Sequence, residues 1–313
     1  MEENGTKNET KRVIIIDTDI GFDSDDAGAL ALANVHCNEN RVTISGMTHC
    51  VAGGDGVKVI DAINRYYGNE FPIGEARFSR ADPRNYRPFV RRIAEKYGCG
   101  ISARSAVETM KAALDESEEK TVTFVGIGQM NDFAALVERY PELVREKVAR
   151  FVIMAGCFEE YDAVYTDKNG YSFEAEFNVA LDVESARSFV GTNDVEIDFI
   201  DYAQGVDVYT GRAFRRDADS PLYEVYRDCK DFVNLSWDLL AVEYACGTSA
   251  DMFTEGQWGT VSIDEKGKTT FREGSGKHRL IKLAVSPEVA AERLEKILSE
   301  GIIRPKPSLS HKT

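Results

Sequence analysis

Five aspartates stand within ten residues in Ile16-Asp17-Thr18-Asp19-Ile20-Gly21-Phe22-Asp23-Ser24-Asp25-Asp26-Ala27. Like charges at that spacing repel one another and raise one another's pKa. A helix N-terminus offers only about half a positive charge to offset them. A hard cation offsets them better, because clustered carboxylate oxygens are the donor set of Ca2+ and Mg2+. Flexible, multi-carboxylate ligation favours Ca2+ of the two. Helix capping would use one or two such residues, not five. An EF-hand loop does not fit, since Gly21 stands where an acid or amide is required and Gly28 replaces the closing glutamate.

Such a cluster needs an element to present it. Val13-Ile16 is a β-branched apolar run and reads as a buried strand, with a helix at Ala27-Asn34 after the acidic turn. Val42-Met47, Phe71-Ile73, Val122-Ile127, Arg150-Met154 and Val195-Ile200 read as further strands. Gly56-Tyr67, Ser105-Leu114, Asp132-Arg139, Val183-Val190, a long Leu222-Cys246 and Pro287-Leu298 read as helices. Residues 76–88, rich in Arg and Pro, read as a long loop, and Trp258-Ile263 with Lys268-Phe271 as a hairpin. Alternating strands and helices predict an α/β fold: a mostly parallel open sheet, Rossmann-like, with helices on both faces. One large domain is expected over 12–300, with a disordered leader at 1–11 and a tail at 301–313. In such a sheet ligands bind beyond the carboxyl ends of the strands, where the acidic run falls.

The bulk charge narrows the partners. Among 313 residues, 53 Asp and Glu outweigh 38 Lys and Arg, for a net charge of -15. That argues against nucleic-acid and anionic-membrane partners and favours a small neutral substrate and a bound cation. Six cysteines show no CxxC pair and no spacing with histidine that makes a zinc site. Reduced thiols, a polar leader and no apolar run near the roughly 20 residues of a membrane span point to a cytoplasmic protein.

The run D-T-D-I-G-F-D-S-D-D-A resembles the DxDxGxDD-like mark of the inosine-uridine-type nucleoside hydrolases, with two extra residues. The resemblance implies Asp19 and Asp26 as calcium ligands, Asp19 also as the base for water, Asp25 as a partner of a ribose hydroxyl, and Asp17 as a brace. Asp23 belongs to the extension. Val122-Asp132 looks like the family's strand ending in GPLTN, which implies the backbone carbonyl of Asn131 as a ligand. Phe151-Gly156 resembles a VMGG strand end, placing Met154 against the substrate. Ala175-Asp182 resembles AEFN-x3-D and implies Glu176 and Asn178 as ribose ligands. Asp238, in Ser236-Trp237-Asp238-Leu239-Leu240, is the implied last calcium ligand.

The resemblance implies hydrolysis of the N-glycosidic bond of ribonucleosides with water activated at Ca2+, in a homo-oligomer, a dimer or tetramer. The chain departs from the pattern at the leaving-group side. Trp237 stands where a histidine often precedes the last aspartate, and Gly53-Gly54 where an asparagine follows the second strand. Trp237 could stack on a nucleobase. Of the four histidines, His36 and His311 read as surface residues, His49 ends the second strand on the edge of the acidic run, and His278 falls in a flexible Gly-rich loop. Either of the last two could reach the site. Two other readings stand beside this one. Asp17 and Asp19 fit the DxD of a Mg2+-dependent haloacid-dehalogenase-type phosphatase, though Gly21 and the downstream segments do not. A non-catalytic nucleoside- or ribose-binding paralogue fits the missing histidine.

Overall fold

The computed structural model describes residues 11–98, 100–159, 165–166, 172–173, 175–301 and 303. The expected leader therefore lies almost wholly outside the described residues, as do His311 and most of the expected tail. A ten-stranded sheet forms the centre. Its strands in chain order are β1 Arg12–Thr18, β2 Val42–His49, β3 Ile73–Glu75, β4 Arg104–Ser105, β5 Val122–Ile127, β6 Val148–Met154, β7 Glu196–Ile200, β8 Phe253–Ile263, β9 Thr269–Glu273 and β10 His278–Leu283. Their spatial order is β9-β8-β10-β7-β6-β5-β1-β2-β3-β4. Every pairing from β10 to β4 is parallel, and β8 runs antiparallel to both β9 and β10.

A central parallel strand is covered on both faces, so it reads as an unbroken apolar run. Ile14, Ile15 and Ile16 are all fully buried. Because side chains alternate, Ile14 and Ile16 join one core and Ile15 the other. The first core holds the helices Asp25–Asn38, Gly56–Tyr66, Asp238–Cys246 and Pro287–Glu300; the second holds Ala106–Asp115, Asn131–Arg139 and Val183–Thr192. The single α/β domain with helices on both faces is as the sequence predicts. The chain leaves β1 toward β2, β3 and β4, then returns to pair β5 with the other side of β1. That reversal is the switch point at which such sheets form a crevice, and the acidic run begins there.

Three expectations are corrected. The long helix at 222–246 is two helices, Pro221–Tyr226 and Asp238–Cys246, separated by turns and the short strand Asn234–Leu235, which pairs with Tyr209–Thr210. Asp231 and Phe232 have φ of 57° and 60°, a left-handed backbone that no helix continues through. Apolar residues on both sides of the break hide it from a periodicity argument. His278 is not in a loop: it is the first residue of β10, buried, with Nδ1 accepting from Val261 N at 2.9 Å. His36 is not a surface residue: it is fully buried, 2.7 Å from an equally buried Glu243. Helices Pro88–Tyr97 and Pro141–Lys147 also go beyond the predicted elements. Among the described residues no helix is long and apolar enough to cross a membrane.

Candidate active site

Beyond the ends of β1, β5 and β6 lies a cavity of about 260 Å³. Its wall brings together Asp19, Asp25, Asp26, Met154, Glu176, Asn178, Trp237 and Asp238, residues scattered over the whole sequence. Two local features position the carboxylates. Gly21 has φ of 140° and packs under Tyr86, whose ring atoms would lie 2.6–2.8 Å from any added Cβ, so the turn between β1 and the first helix requires glycine there. Gly28 lets two helices approach: a Cβ on it would meet the Tyr226 hydroxyl at 2.5 Å and Leu239 at 2.9 Å. The helices that start at Asp25 and Asp238 therefore pack closely and place their first residues side by side.

Asp25, Asp26 and Asp238 are all buried, and each offers a carboxylate oxygen within 4.8 Å of the other two. Asp25 Oδ2 accepts from the backbone N–H of Trp237 (3.0 Å) and of Asp238 (3.2 Å), which ties the two helix starts together. Thr18 Oγ1 donates to Asp26 Oδ1 and takes the Ile20 N–H at 3.1 Å. Asp19 is buried, and its Oδ2 meets no hydrogen-bond partner. Asp17 sits behind the cavity wall and accepts from Thr48 Oγ1 at 2.7 Å.

Burial of so many acids raises their pKa. Burial pushes Asp25 up to about 8, with the charge of Asp23 adding to it. Burial pushes Asp17 up to about 7 against the hydrogen bond from Thr48. Asp19, Asp26 and Asp238 are raised well above the carboxylate range, first by burial and then by neighbouring carboxylates, Asp25 and Asp23 among them in each case. Among the described residues, none of Asp17, Asp19, Asp25, Asp26 and Asp238 closes an ion pair with Lys, Arg or His. Buried, all-oxygen, uncompensated donors with an orphaned Asp19 oxygen are the chemistry of a hard divalent cation site.

The rest of the wall offers groups suited to hydroxyls and rings. Glu176 accepts from Asn178 N (2.8 Å), Gly156 N (3.0 Å) and Val179 N (3.3 Å), and burial still pushes it up to about 7. Asn178 Nδ2 donates to Met154 O at 3.0 Å, which fixes Met154 and Asn178 as one unit. Trp237 stacks on Tyr202 with centroids 5.4 Å apart and planes at 24°, and its Nε1 donates to Tyr202 O at 2.7 Å. Phe22 and Phe177 meet edge-on at 5.8 Å. The sequence reading missed Phe22, Phe177, Tyr202 and Arg87, all of which line the cavity. An aromatic directly after Asp201 at the end of β7, on the same sheet edge, was the available signal for Tyr202.

Two expected residues are not at the wall. His49 is fully buried; its Nε2 lies 3.3 Å from Ile20 O and 3.1 Å from the Tyr86 hydroxyl, and burial holds its pKa down to about 4. Tyr86 packs against it, and His49 does not reach the cavity wall. Asn131 begins its helix beside the site, with its side chain turned to Cys50 O and Phe78 O, both at 3.0 Å.

The model of the family described as inosine-uridine preferring nucleoside hydrolase matches residues 14–294. Among solved structures, the chain is similar to an inosine-uridine preferring nucleoside hydrolase from Bacillus anthracis, at 18% identity over 93% of this chain and 98% of that one, with TM-score 0.71. It is similar to the plant nucleoside hydrolase PpNRh1 at 21% identity, over 95% of this chain and 100% of that one, with TM-score 0.67. A purine-preferring ribonucleoside hydrolase from Gardnerella vaginalis matches at 17% identity, over 93% and 100% of the two chains, with TM-score 0.70. No curated protein matches the chain.

Proposed function

Because the chain belongs to the inosine-uridine preferring nucleoside hydrolase family, we propose that it hydrolyses the N-glycosidic bond of ribonucleosides to ribose and free base, with Ca2+ at the acidic cluster. The observation that carries this reading is the convergence of Asp25, Asp26 and Asp238 on one point, in one cavity with the unpartnered Oδ2 of Asp19 and with Glu176 and Asn178. The cation's ligands would be drawn from Asp19, Asp26, Asp238 and the carbonyl of Asn131, with Asp25 close enough to share. Bound there, it would lower the pKa of a water and draw in the 2′ and 3′ hydroxyls.

The chain's own groups divide the remaining work. Asp19 Oδ2, buried and without a partner, takes the proton from the attacking water. The water oxygen bonds to C1′ as the C1′–N bond breaks, and that electron pair leaves with the base. Asp25 has one oxygen held by two backbone N–H groups, which leaves the other for a ribose hydroxyl. Glu176 and Asn178 grip further hydroxyls, so a sugar lacking them leaves buried polar groups unpaired. The Trp237–Tyr202 stack offers a face to the departing ring.

A panel of ribonucleosides assayed for reducing sugar, with Ca2+ and with chelator, tests the reading. Ribose release from at least one nucleoside, lost on chelation, is the expected result. Silence across the panel, or phosphate release from an aryl phosphate in Mg2+, would overturn it.

A further inference from the structure

Arg87 is the one positively charged residue among the described residues lining the cavity. Its backbone N–H donates to Gly21 O at 2.7 Å and its Nε to Phe22 O at 2.8 Å. The lengthened turn after β1 thereby fixes the guanidinium in place. Its Nη2 lies 3.7 Å from Asp23 Oδ1, in ion-pair range but beyond a hydrogen bond. That Asp23 oxygen already accepts from Ser24 N and Asn234 Nδ2, both at 2.7 Å. Four nearby arginines are held elsewhere: Arg80 on Asp182 and Glu184, Arg84 on Asp82, Arg91 on Glu95, Arg92 on Asp228. Arg87 presents its Nη edge, with the side chain 55% exposed, at the open side of the cavity.

Ribose stereochemistry says what arrives there. In a β-ribonucleoside the 2′ and 3′ hydroxyls lie on one face of the ring, while the base and C5′ lie on the other. With the hydroxyls turned to the buried carboxylates, both the base and the 5′ substituent face outward. The stacked Trp237 and Tyr202 suit the base. A half-exposed guanidinium whose Nη groups donate no hydrogen bond among the described residues, with Asp23 no nearer than 3.7 Å, suits an anion, and a plain 5′ hydroxyl brings no such charge. The overall charge of -15 does not draw anions to this protein, so an anionic group would need such a placed contact.

Resting on the N-ribohydrolase reading, we propose that the preferred substrates are 5′-phosphorylated ribonucleosides, with the phosphate bound by the Arg87 guanidinium at the cavity mouth. The test compares kcat/KM for inosine, uridine and adenosine with kcat/KM for their 5′-monophosphates, in saturating Ca2+, for the wild type, Arg87→Met, Arg87→Lys and Asp23→Asn. Binding of the same ligands is followed by calorimetry in parallel. The wild type is expected to favour the monophosphate of its best base by about tenfold or more, the size of one charge-assisted contact. Arg87→Met should collapse that ratio, Arg87→Lys should keep part of it, and Asp23→Asn, which removes the competing carboxylate, should widen it. The preference should also shrink as salt is raised. A wild type that favours the unphosphorylated nucleoside would overturn the proposal. So would an Arg87→Met variant that lowers both substrates in proportion, since that is what a residue merely pinning the turn would do. If neither substrate is cleaved, the hydrolytic reading fails, and the calorimetric ratio decides the phosphate site by itself: equal affinities in wild type and Arg87→Met would overturn it.

Discussion

Asp198 and Asp19 are both carboxylates buried against the same sheet, yet the protein treats them in opposite ways. Asp198, in β7, accepts Arg279 Nε at 2.9 Å and Nη2 at 3.0 Å, Arg150 Nη1 at 3.2 Å and the Tyr244 hydroxyl at 2.9 Å. Its charge is answered by the chain itself. Asp19 has no cation of the chain within ion-pair range among the described residues, and one of its oxygens has no partner at all. Burying a carboxylate without compensation is costly enough that proteins ordinarily pair it or protonate it. The contrast teaches that the fold answers one buried carboxylate with its own cations and leaves the other without one, as the proposed cation site requires.

The comparison can be broken at either end. The largest effect is expected from Asp19→Ala: a loss of about 10³-fold or more in kcat/KM for ribose release, the scale of a lost general base. A variant that retains full activity would remove Asp19 from the reaction. Arg279→Met, at the compensated end, should cost about 3–5 kcal/mol in chemical denaturation, because it strands part of the Asp198 charge. That loss should be the same with and without Ca2+; a Ca2+-dependent loss would mean the two carboxylate groups are coupled.

The cluster end should show an inverted pH dependence. Asp25 and Asp17 have folded pKa values raised to about 8 and about 7. A raised carboxylate holds its proton in the folded state where the unfolded chain has already released it. Its contribution is therefore full below the unfolded carboxylate range and is lost as pH rises through the folded values. Thermal melts in chelator should fall in midpoint from about pH 5 to about pH 8. Ca2+ at 100 times its dissociation constant should restore about 2.7 kcal/mol and flatten the trend. A midpoint in chelator that holds level or rises over that range would contradict the uncompensated cluster. The smallest effect is expected from Trp237→Ala: about a tenfold drop in kcat/KM that differs between purine and pyrimidine nucleosides, read from the same panel. An equal drop for all bases would assign Trp237 to packing.

The parts legible in sequence were those whose cause is local. β1 and β5 are continuous apolar runs because parallel strands are buried on both faces, and the acidic run is contiguous. Met154 ends a readable strand, whereas Glu176 and Asn178 were named only by the resemblance, because the short helix Phe177–Leu181 that holds them carries no periodic signal. What could not be read depends on distant partners. His36 looked like a surface residue because its buried partner, Glu243, is 207 positions away. Asp25 looked like a ribose contact only, but it also holds the backbone of Trp237 and Asp238, more than 200 positions on. The false long helix arose because apolar residues flank a break that only the left-handed backbone at Asp231 and Phe232 defines. Tyr202 and Arg87 carry no motif; the sheet edge alone gathers them.

The buried His36–Glu243 contact has a mechanical meaning. The helices that carry Asp25 and Asp238 both start at the cavity and pack on each other, and His36 lies about 16 Å along the first of them. Asp25 clasps the two helices at the cavity, while His36 and Glu243 rivet them again deep in the core. The pair behaves as a caliper with its opening preset. For the cation proposed above, binding would not have to draw the jaws together, so little ordering would be lost.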